Sequence, residues 1–189
     1  MITRPAEPYI VTNGKLTKIA HFDSKAAIRD YADSLGLPSS FYLPGFYMQN
    51  LPAVMFHKDD GSDTWILDLP MEEDAQIPMI DIADTGKYVK AILENKNEWM
   101  GKEVYGAQRY YTPPEVVEIF KRNYPGQNAK FISLTEEEFT QNMEAQGRPR
   151  PIAEEMAESM MLMNKQYGYY NGADLKASNM VSLTPNNVD

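Results

Sequence analysis

Apolar residues recur at helical spacing near the start of the chain, in a segment that opens with His21, Phe22 and Asp23 and runs to about Leu35. The side chains of Ile28, Tyr31, Ala32 and Leu35 fall at i, i+3, i+4 and i+7, which predicts one buried face of an amphipathic helix. Asp23 is a favourable residue for the N-cap, and the glycine and proline that follow Leu35 are typical of a helix end. We therefore predict a helix from Asp23 to Leu35.

Two basic side chains accompany this predicted face. Lys25 precedes Ile28 by three residues and so lies on the apolar face, where a lysine is unexpected. His21 precedes Lys25 by four residues and would lie one turn away on the same side. Together they could contact an anionic or hydroxylated ligand. Alternatively, Lys25 extends its ammonium group into solvent and His21 is a loop residue.

Short apolar runs between turn residues predict strands over Phe41–Leu43, Thr64–Leu69, Ile77–Ile80, Lys102–Ala107 and Ala129–Leu134. Pro78 interrupts the third of these runs. A helix followed by a short loop and a buried strand is half of a βαβ crossover, which favours an α/β fold. The aromatic stretch 46–50 comes just after the first of these strands, where ligands bind in open α/β sheets. A hydrophobic helical turn that packs on the core is an equal alternative for this stretch.

Helix starts are also marked later in the chain. Thr112 with Glu115, and Thr135 with Glu138, form capping-box patterns. Asp81 and Asp84 resemble such a box, and capping explains them more simply than a catalytic carboxylate pair does. A last helix is predicted from Ile152 to Tyr167, and its methionines either line an adaptable pocket or pack on the core. Residues 168–189 are polar, and we expect them to be loosely structured.

The charge and composition exclude several classes of function. The chain has a net charge of −9, which argues against direct binding to nucleic acid. It has no cysteine and only two histidines, so thiolate chemistry is excluded and a metal site is not expected. The chain has no secretory signal pattern and no apolar run near the roughly 20 residues that span a membrane. These features are typical of an acidic intracellular protein that does not bind to membranes.

Several segments in the same order resemble the NmrA-like family, an atypical branch of the short-chain dehydrogenase/reductase superfamily. They are Asn13–Lys15, His21–Ala26, Leu43–Asn50, Ile77–Lys87 and Gly101–Lys102. The resemblance implies an NAD(P)-binding Rossmann-like α/β fold with a small, mostly helical C-terminal lobe. In that superfamily a tyrosine donates the proton, and a lysine four residues later holds the nicotinamide ribose.

Carried over residue by residue, Lys25 matches the lysine, and His21 stands in place of the tyrosine. His21 is therefore the candidate catalytic residue. The resemblance implies that Lys25, Pro44, Gly45 and Phe46 bind the cofactor, NADP or NAD. Leu43 departs from the arginine often found before the Pro-Gly pair. The implied function is a redox-inactive dinucleotide sensor, cytoplasmic and also nuclear, which regulates transcription through a protein partner such as a transcription factor.

Two alternatives accompany this interpretation. One is an NAD(P)H-dependent oxidoreductase in which His21 or Tyr47 donates the proton. The other is a truncated fragment without activity of its own, because residues 1–189 contain no Gly-rich dinucleotide turn. The matched segments correspond to the C-terminal portion of the family fold. Within it we expect residues 13–111 to form the remnant of the Rossmann core with an inserted lobe segment, and residues 112–189 to form mainly the small lobe. The chain alone is expected to bind the dinucleotide weakly or not at all.

Overall fold

The computed structural model describes residues 2–3 and 12–176. The helices are α1 (Ala20–Ser34), α2 (Thr85–Glu94), α3 (Lys96–Trp99), α4 (Pro113–Asn123), α5 (Glu136–Ala145) and α6 (Arg150–Met161), with a π-helical turn over Leu51–Met55 and a 3₁₀ turn over Ile82–Asp84. The strands are β1 (Ile2–Thr3), β2 (Phe41–Pro44), β3 (Phe46–Tyr47), β4 (Phe56–Lys58), β5 (Thr64–Leu69), β6 (Ile77–Ile80), β7 (Glu103–Gly106), β8 (Arg109–Tyr111) and β9 (Asn128–Ser133). The predicted α/β class is confirmed.

The strands form three small sheets. In the first, β2 lies between β1 and β7, and both pairings are parallel. In the second, β6 pairs in parallel with β3 and antiparallel with β8. In the third, β5 pairs antiparallel with β4 and in parallel with β9. Parallel pairs joined through helices are the pattern of a Rossmann-like α/β fold.

The first predicted helix differs from the observed one at its start and on its buried face. It begins at Ala20 and ends at Ser34, so Asp23 lies in the first turn and is not the N-cap. Phe22, Ala26 and Ala32 are its buried residues, whereas Ile28, Tyr31 and Leu35 are exposed by 55%, 67% and 55%. The predicted face was wrong because apolar spacing identifies a stripe, and the neighbouring elements decide whether that stripe is covered.

The strand predictions were closer to the structure. The segment Thr64–Leu69 is confirmed in full, and Ile77–Ile80 continues through Pro78, which lies opposite Tyr110 in the antiparallel pair. Phe46 and Tyr47 form a strand, not a helical turn. Asn13 and Gly14 form the expected turn, and both have positive φ.

Two predictions near the C-terminus need correction. The last helix covers only Arg150–Met161, and the chain then turns without continuing to Tyr167. In the segment 168–176, Tyr169, Tyr170 and Leu175 are buried, so this part is packed and not loose. The remainder of the expected tail, residues 177–189, lies outside the described residues.

The larger core cluster is formed by α1, β2, β5, β6 and the later helices, and the tyrosines of residues 169–170 join it. A second cluster gathers around α2 and α3, with Tyr42, Tyr88 and Trp99 as its largest members. Core packing thus fixes both β2 and α1, the two elements that carry the predicted cofactor residues.

Candidate functional site

The first turn of α1 is held by two carboxylates of α6. The N-cap residue Ile19 has no side chain that could accept the free N–H groups of the helix start. Instead, Glu158 Oε2 accepts the main-chain N–H of Lys18 at 2.6 Å, and Glu155 Oε1 accepts that of His21 at 2.9 Å. The negative side chains also suit the positive end of the helix dipole. The position of α1 therefore depends on a helix more than 130 residues later in the chain.

The imidazole of His21 is bound by the same carboxylate. Its Nδ1 lies 2.6 Å from Glu155 Oε1, and its ring packs edge-on against Phe22 at 4.3 Å. Burial opposes ionisation of Glu155, but the hydrogen bonds from the side chain and main chain of His21 hold the pKa of Glu155 below its usual range. When the imidazole is neutral, this geometry favours the tautomer with the proton on Nδ1 and leaves Nε2 as an acceptor.

Lys25 lies one helical turn beyond His21 and is partly buried. Among residues 2–3 and 12–176, no hydrogen-bond or ion-pair partner engages its ammonium group. Most other basic side chains near α1 do have partners: Lys18 pairs with Glu154 at 3.2 Å, and Arg29 pairs with both Asp33 and Glu103. Lys25 is therefore available to bind an oxygen atom of a ligand.

The segment from Pro44 to Phe46 connects β2 to β3, and neighbouring main chain approaches it closely. Gly45 donates its N–H to the carbonyl oxygen of Gly106 at 2.8 Å. A Cβ on Gly45 would lie 2.3 Å from the carbonyl oxygen of Pro78, so any larger residue would displace the backbone. This close approach leaves the chain at the carboxyl end of β2 in a fixed position.

Two buried tyrosines hold the end of β2, and one of them, Tyr169, also contacts α1. Tyr169 donates its hydroxyl to the carbonyl oxygen of Pro44 at 3.2 Å, and its ring packs edge-on against Phe22 at 5.8 Å. Tyr170 donates to the carbonyl oxygen of Leu43 at 2.7 Å. Burial raises the pKa of both hydroxyl groups, and the nearby phenol of Tyr47 adds to this effect for Tyr169.

Tyr169 thus lies between the start of α1, which carries His21 and Lys25, and the end of β2, which carries Pro44. Sequence reasoning missed Glu155, Glu158, Tyr169 and Tyr170. The acidic residues of α6 recur at helical spacing, which could have marked a face directed at basic groups. No local signal identifies which basic groups that face meets.

An apolar pocket of about 400 Å³ begins where this segment ends. Its lining includes Met48, Phe56, Met79, Tyr111, Phe120 and Tyr124. The rings of Phe56 and Phe120 are stacked at 4.4 Å, and Phe120 also packs on Tyr124 at 4.8 Å. A pocket with such a lining suits a flat, weakly polar molecule.

A metal site and a catalytic carboxylate pair find less support in the part of the chain that the structure describes. Residues 2–3 and 12–176 contain no group of three histidine, aspartate or glutamate side chains that could hold a metal ion. Asp81 caps the 3₁₀ turn by accepting the N–H of Ala83 at 2.9 Å, and Asp84 pairs with Lys87 at 2.6 Å. These two carboxylates therefore have structural partners. None of the described helices is both long enough and apolar enough to cross a membrane.

The fold and much of the sequence are similar to those of known proteins. Over 108 residues the chain is 33% identical to the nitrogen metabolite repression protein nmr of Neurospora crassa, an alignment that covers 52% of this chain and 22% of that protein. The structure resembles NmrA, a negative transcriptional regulator solved in complex with NADP, with a TM-score of 0.78 and 14% identity over 98% of this chain and 60% of that one. It also resembles an NADPH-dependent quinone oxidoreductase of Escherichia coli, solved with NADPH, with a TM-score of 0.66 and 15% identity over 98% of this chain and 61% of that one.

These relatives are longer than the chain, which spans 22% of the length of the Neurospora protein and about 60% of each of the two structures. At 14–15% identity the structural likeness establishes a Rossmann-like fold, and the two structures compared are complexes with NADP and with NADPH. The family model for NmrA-like proteins matches residues 10–189 and so includes α1, the 44–46 segment and the tyrosines that join them. On this match, the chain belongs to the NmrA-like family.

Proposed function

We propose that this chain is the part of an NmrA-like regulator that senses the nicotinamide half of NADP or NAD, and that it does not transfer hydride. One observation carries this proposal. Within residues 12–176 the ammonium group of Lys25 has no partner, whereas the residue one turn before it is His21, whose Nδ1 is bound by Glu155. The pair is suited to holding a ribose and lacks the tyrosine that would donate a proton.

The residues present fit the nicotinamide half of the dinucleotide. Lys25 would bind hydroxyl groups of the ribose, and the backbone from Pro44 to Phe46 would lie against the nicotinamide ring. Gly45 keeps that backbone free of a side chain. When bound, the dinucleotide carries the redox state that the protein would sense.

The tyrosines of the site support a redox-inactive role. The hydroxyl groups of Tyr169 and Tyr170 are buried and donate to main-chain carbonyl oxygens. Burial raises their pKa, so neither group is a ready source of a phenolate near neutral pH. Their hydrogen bonds hold the end of β2 in place, which is a structural task.

The charge of the chain favours a protein partner over DNA. With 27 acidic and 18 basic residues, the surface would repel a phosphate backbone. A regulator of this kind would act through another protein, such as a transcription factor, in the cytoplasm or the nucleus.

The test of this proposal combines binding and turnover on the full chain. NADP⁺ at millimolar concentration is expected to shift the amide resonances of residues 25, 45 and 46, and Lys25→Ala is expected to remove these shifts. Incubation with NADPH and a panel of quinones and aldehydes is expected to show no loss of absorbance at about 340 nm, the NADPH band, above the rate without protein. Tight binding of the pure chain to DNA at physiological salt would contradict the proposal.

An NAD(P)H-dependent oxidoreductase is the second candidate, and the apolar pocket of about 400 Å³ favours it. A flat carbonyl or quinone substrate would suit its aromatic lining, and the proton would come from Nε2 of His21 in its protonated form or from the hydroxyl of Tyr47. Oxidation of NADPH that depends on a quinone and is lost in Lys25→Ala would establish this function in place of the regulator. His21→Phe and Tyr47→Phe would then identify the donor.

A further inference from the structure

A second pocket lies between the β4–β5 hairpin and helices α5 and α6. Its volume is about 320 Å³, near the lower end of the roughly 300–1,000 Å³ that ligand pockets occupy. It shares only Phe56 with the apolar pocket of the candidate functional site. It is therefore a separate cavity with its own lining.

The floor of this second pocket is apolar and adaptable. Leu69, Phe139 and Met143 are buried there, and Met55 and Met156 complete the surface. Methionine side chains are unbranched and polarisable, so they adjust to ligands of differing shape. The floor would accept an alkyl chain or an aromatic ring.

The rim carries hydrogen-bond donors on one side. Asn142 on α5 and the C-cap residue Gln146 lie one turn apart, and no protein partner within the described residues binds their side-chain amides. Gly147 ends the helix with φ of 86°, and Arg148 then donates its main-chain N–H to the carbonyl oxygen of Met143 at 3.0 Å. This turn brings Arg148 back over the end of α5 and onto the rim.

The charge of Arg148 is not neutralised within the described part of the chain. Two residues later, Arg150 is bound by three carboxylates, those of Glu137, Glu144 and Glu154. No carboxylate of residues 12–176 lies within ion-pair distance of Arg148. The acidic side chain of the pocket, Asp68, lies 3.4 Å from His57 Nδ1. Arg148 therefore places a cation at the rim of the pocket that no described carboxylate binds.

We propose that this second pocket binds a small carboxylic acid with an apolar body. The guanidinium of Arg148 would take both oxygens of the carboxylate in the usual bidentate manner, and the amides of Asn142 and Gln146 would donate to the remaining lone pairs. The methionine-rich floor would bury the apolar body. This site is independent of the dinucleotide site and of the proposed function.

The test uses a matched pair of probes, naphthalene-1-acetate and its neutral analogue naphthalene-1-acetamide. Binding of both to the full chain is followed through the methyl resonances of its 12 methionines. The acid is expected to bind about tenfold more tightly than the amide, because charge-assisted hydrogen bonds form only with the acid. Shifts are expected at Met55, Met143 and Met156.

Substitution identifies the anchor of the carboxylate. Arg148→Gln is expected to abolish the preference for the acid, and its methyl spectrum without ligand reports whether the fold is intact. Arg122→Gln, which changes another exposed arginine without an ion pair among the described residues, is expected to keep the preference. Any of three results would overturn the proposal. These are equal affinity for acid and amide, shifts confined to Met48 and Met79 of the other pocket, and no binding of either probe up to about 10 mM.

Discussion

Glu155 and Glu158 lie on α6 three residues apart, and both accept main-chain N–H groups at the start of α1. The two carboxylates nevertheless differ in the direction of their pKa shifts. The hydrogen bonds of His21 outweigh burial at Glu155, whose pKa is lowered. Burial outweighs the hydrogen bond from Lys18 at Glu158, whose pKa is raised. The start of α1 is therefore held by two carboxylates whose contributions to stability depend on pH in opposite directions.

Replacing Glu155 by alanine is expected to lower the free energy of unfolding by about 1–2 kcal/mol at neutral pH, because His21 loses the acceptor of both its N–H groups. Since the pKa of Glu155 is lowered in the folded state, its contribution is present above its ordinary value of 4.5 and is lost as the pH falls through the lowered value. Urea unfolding of both proteins at several pH values measures this difference.

Glu154→Ala is the matched control, because Glu154 has similar exposure but, among residues 12–176, binds only the side chains of Lys18 and Arg150. It is expected to cost less than Glu155→Ala. An equal loss in the two variants would contradict the capping role of Glu155.

For Glu158 the expected dependence on pH is reversed. A carboxyl group with a raised pKa in the folded state contributes stability that is present below its unfolded pKa and is lost as the pH rises through the folded pKa. We therefore expect wild type to gain stability relative to Glu158→Gln as the pH is lowered from about 7 to about 4. Thermal or urea unfolding of the two proteins tests this, and a stability difference that does not change with pH would show that Glu158 titrates alike in both states.

The sequence located His21 and Lys25 on one side of one helix, and the structure agrees. It could not identify the partner of His21, because Glu155 is 134 residues away and only the tertiary fold brings them together. The same limit applies to Tyr169 and Tyr170, whose acceptors are more than 120 residues earlier. Local patterns predict which residues carry a site, and packing decides what each one contacts.

At the level of elements, the two Thr–Glu capping boxes were the most predictable feature, whereas the N-cap predicted at Asp23 was wrong. Thr112 accepts the N–H of Glu115, and the side chain of Glu115 accepts the N–H of Thr112. The same reciprocal pair joins Thr135 and Glu138. Each box involves residues only three apart, so the sequence alone contains all its partners.

Removing the cap of α4 by Thr112→Ala is expected to destabilise the protein by about 1 kcal/mol, since the N–H of Glu115 loses its acceptor. Thr112→Ser keeps the hydroxyl and is expected to have a smaller effect. The pKa of Glu115 is lowered, first through its hydrogen bond from the N–H of Thr112, so that part of the cap weakens as the pH falls below 4.5. Urea unfolding of wild type and the two variants measures these stability differences. Equal stability of the alanine and serine variants would exclude a capping role for the Thr112 hydroxyl.

The buried face of α1 was the least predictable element. Ile28, Tyr31 and Leu35 have the spacing of a core stripe but lie in solvent, whereas Phe22 and Ala26 pack inward. The stripe shows that the helix has two apolar surfaces, and periodicity cannot tell which one meets the rest of the fold. By contrast, β5 has strands on both sides and is largely buried, so its apolar run correctly predicted a buried strand.

At the scale of the whole molecule, several helix N-termini are already occupied by acidic groups. Glu155 and Glu158 meet the start of α1, Glu115 that of α4, and Glu138 that of α5. Two main-chain N–H groups at each of these three helix starts are therefore already bound within the protein. In addition, residues 1–189 contain no Gly-rich phosphate turn. In the proposed function, the described residues would therefore contact the nicotinamide half of a dinucleotide and make few contacts with its phosphates.

We therefore predict that the chain of residues 1–189 binds NADPH with a dissociation constant in the millimolar range. The pyrophosphate normally receives several charge-assisted hydrogen bonds of roughly 1.5–3 kcal/mol each, and losing them lowers affinity by several powers of ten. The net charge of −9 adds a weak repulsion toward an anionic ligand. Calorimetric titration measures the constant, with Lys25→Ala expected to weaken binding further and Lys90→Ala, a change at a largely exposed lysine of α2, expected to leave it unchanged. A low-micromolar constant that Lys25→Ala abolishes would show that another segment of this chain binds the phosphates.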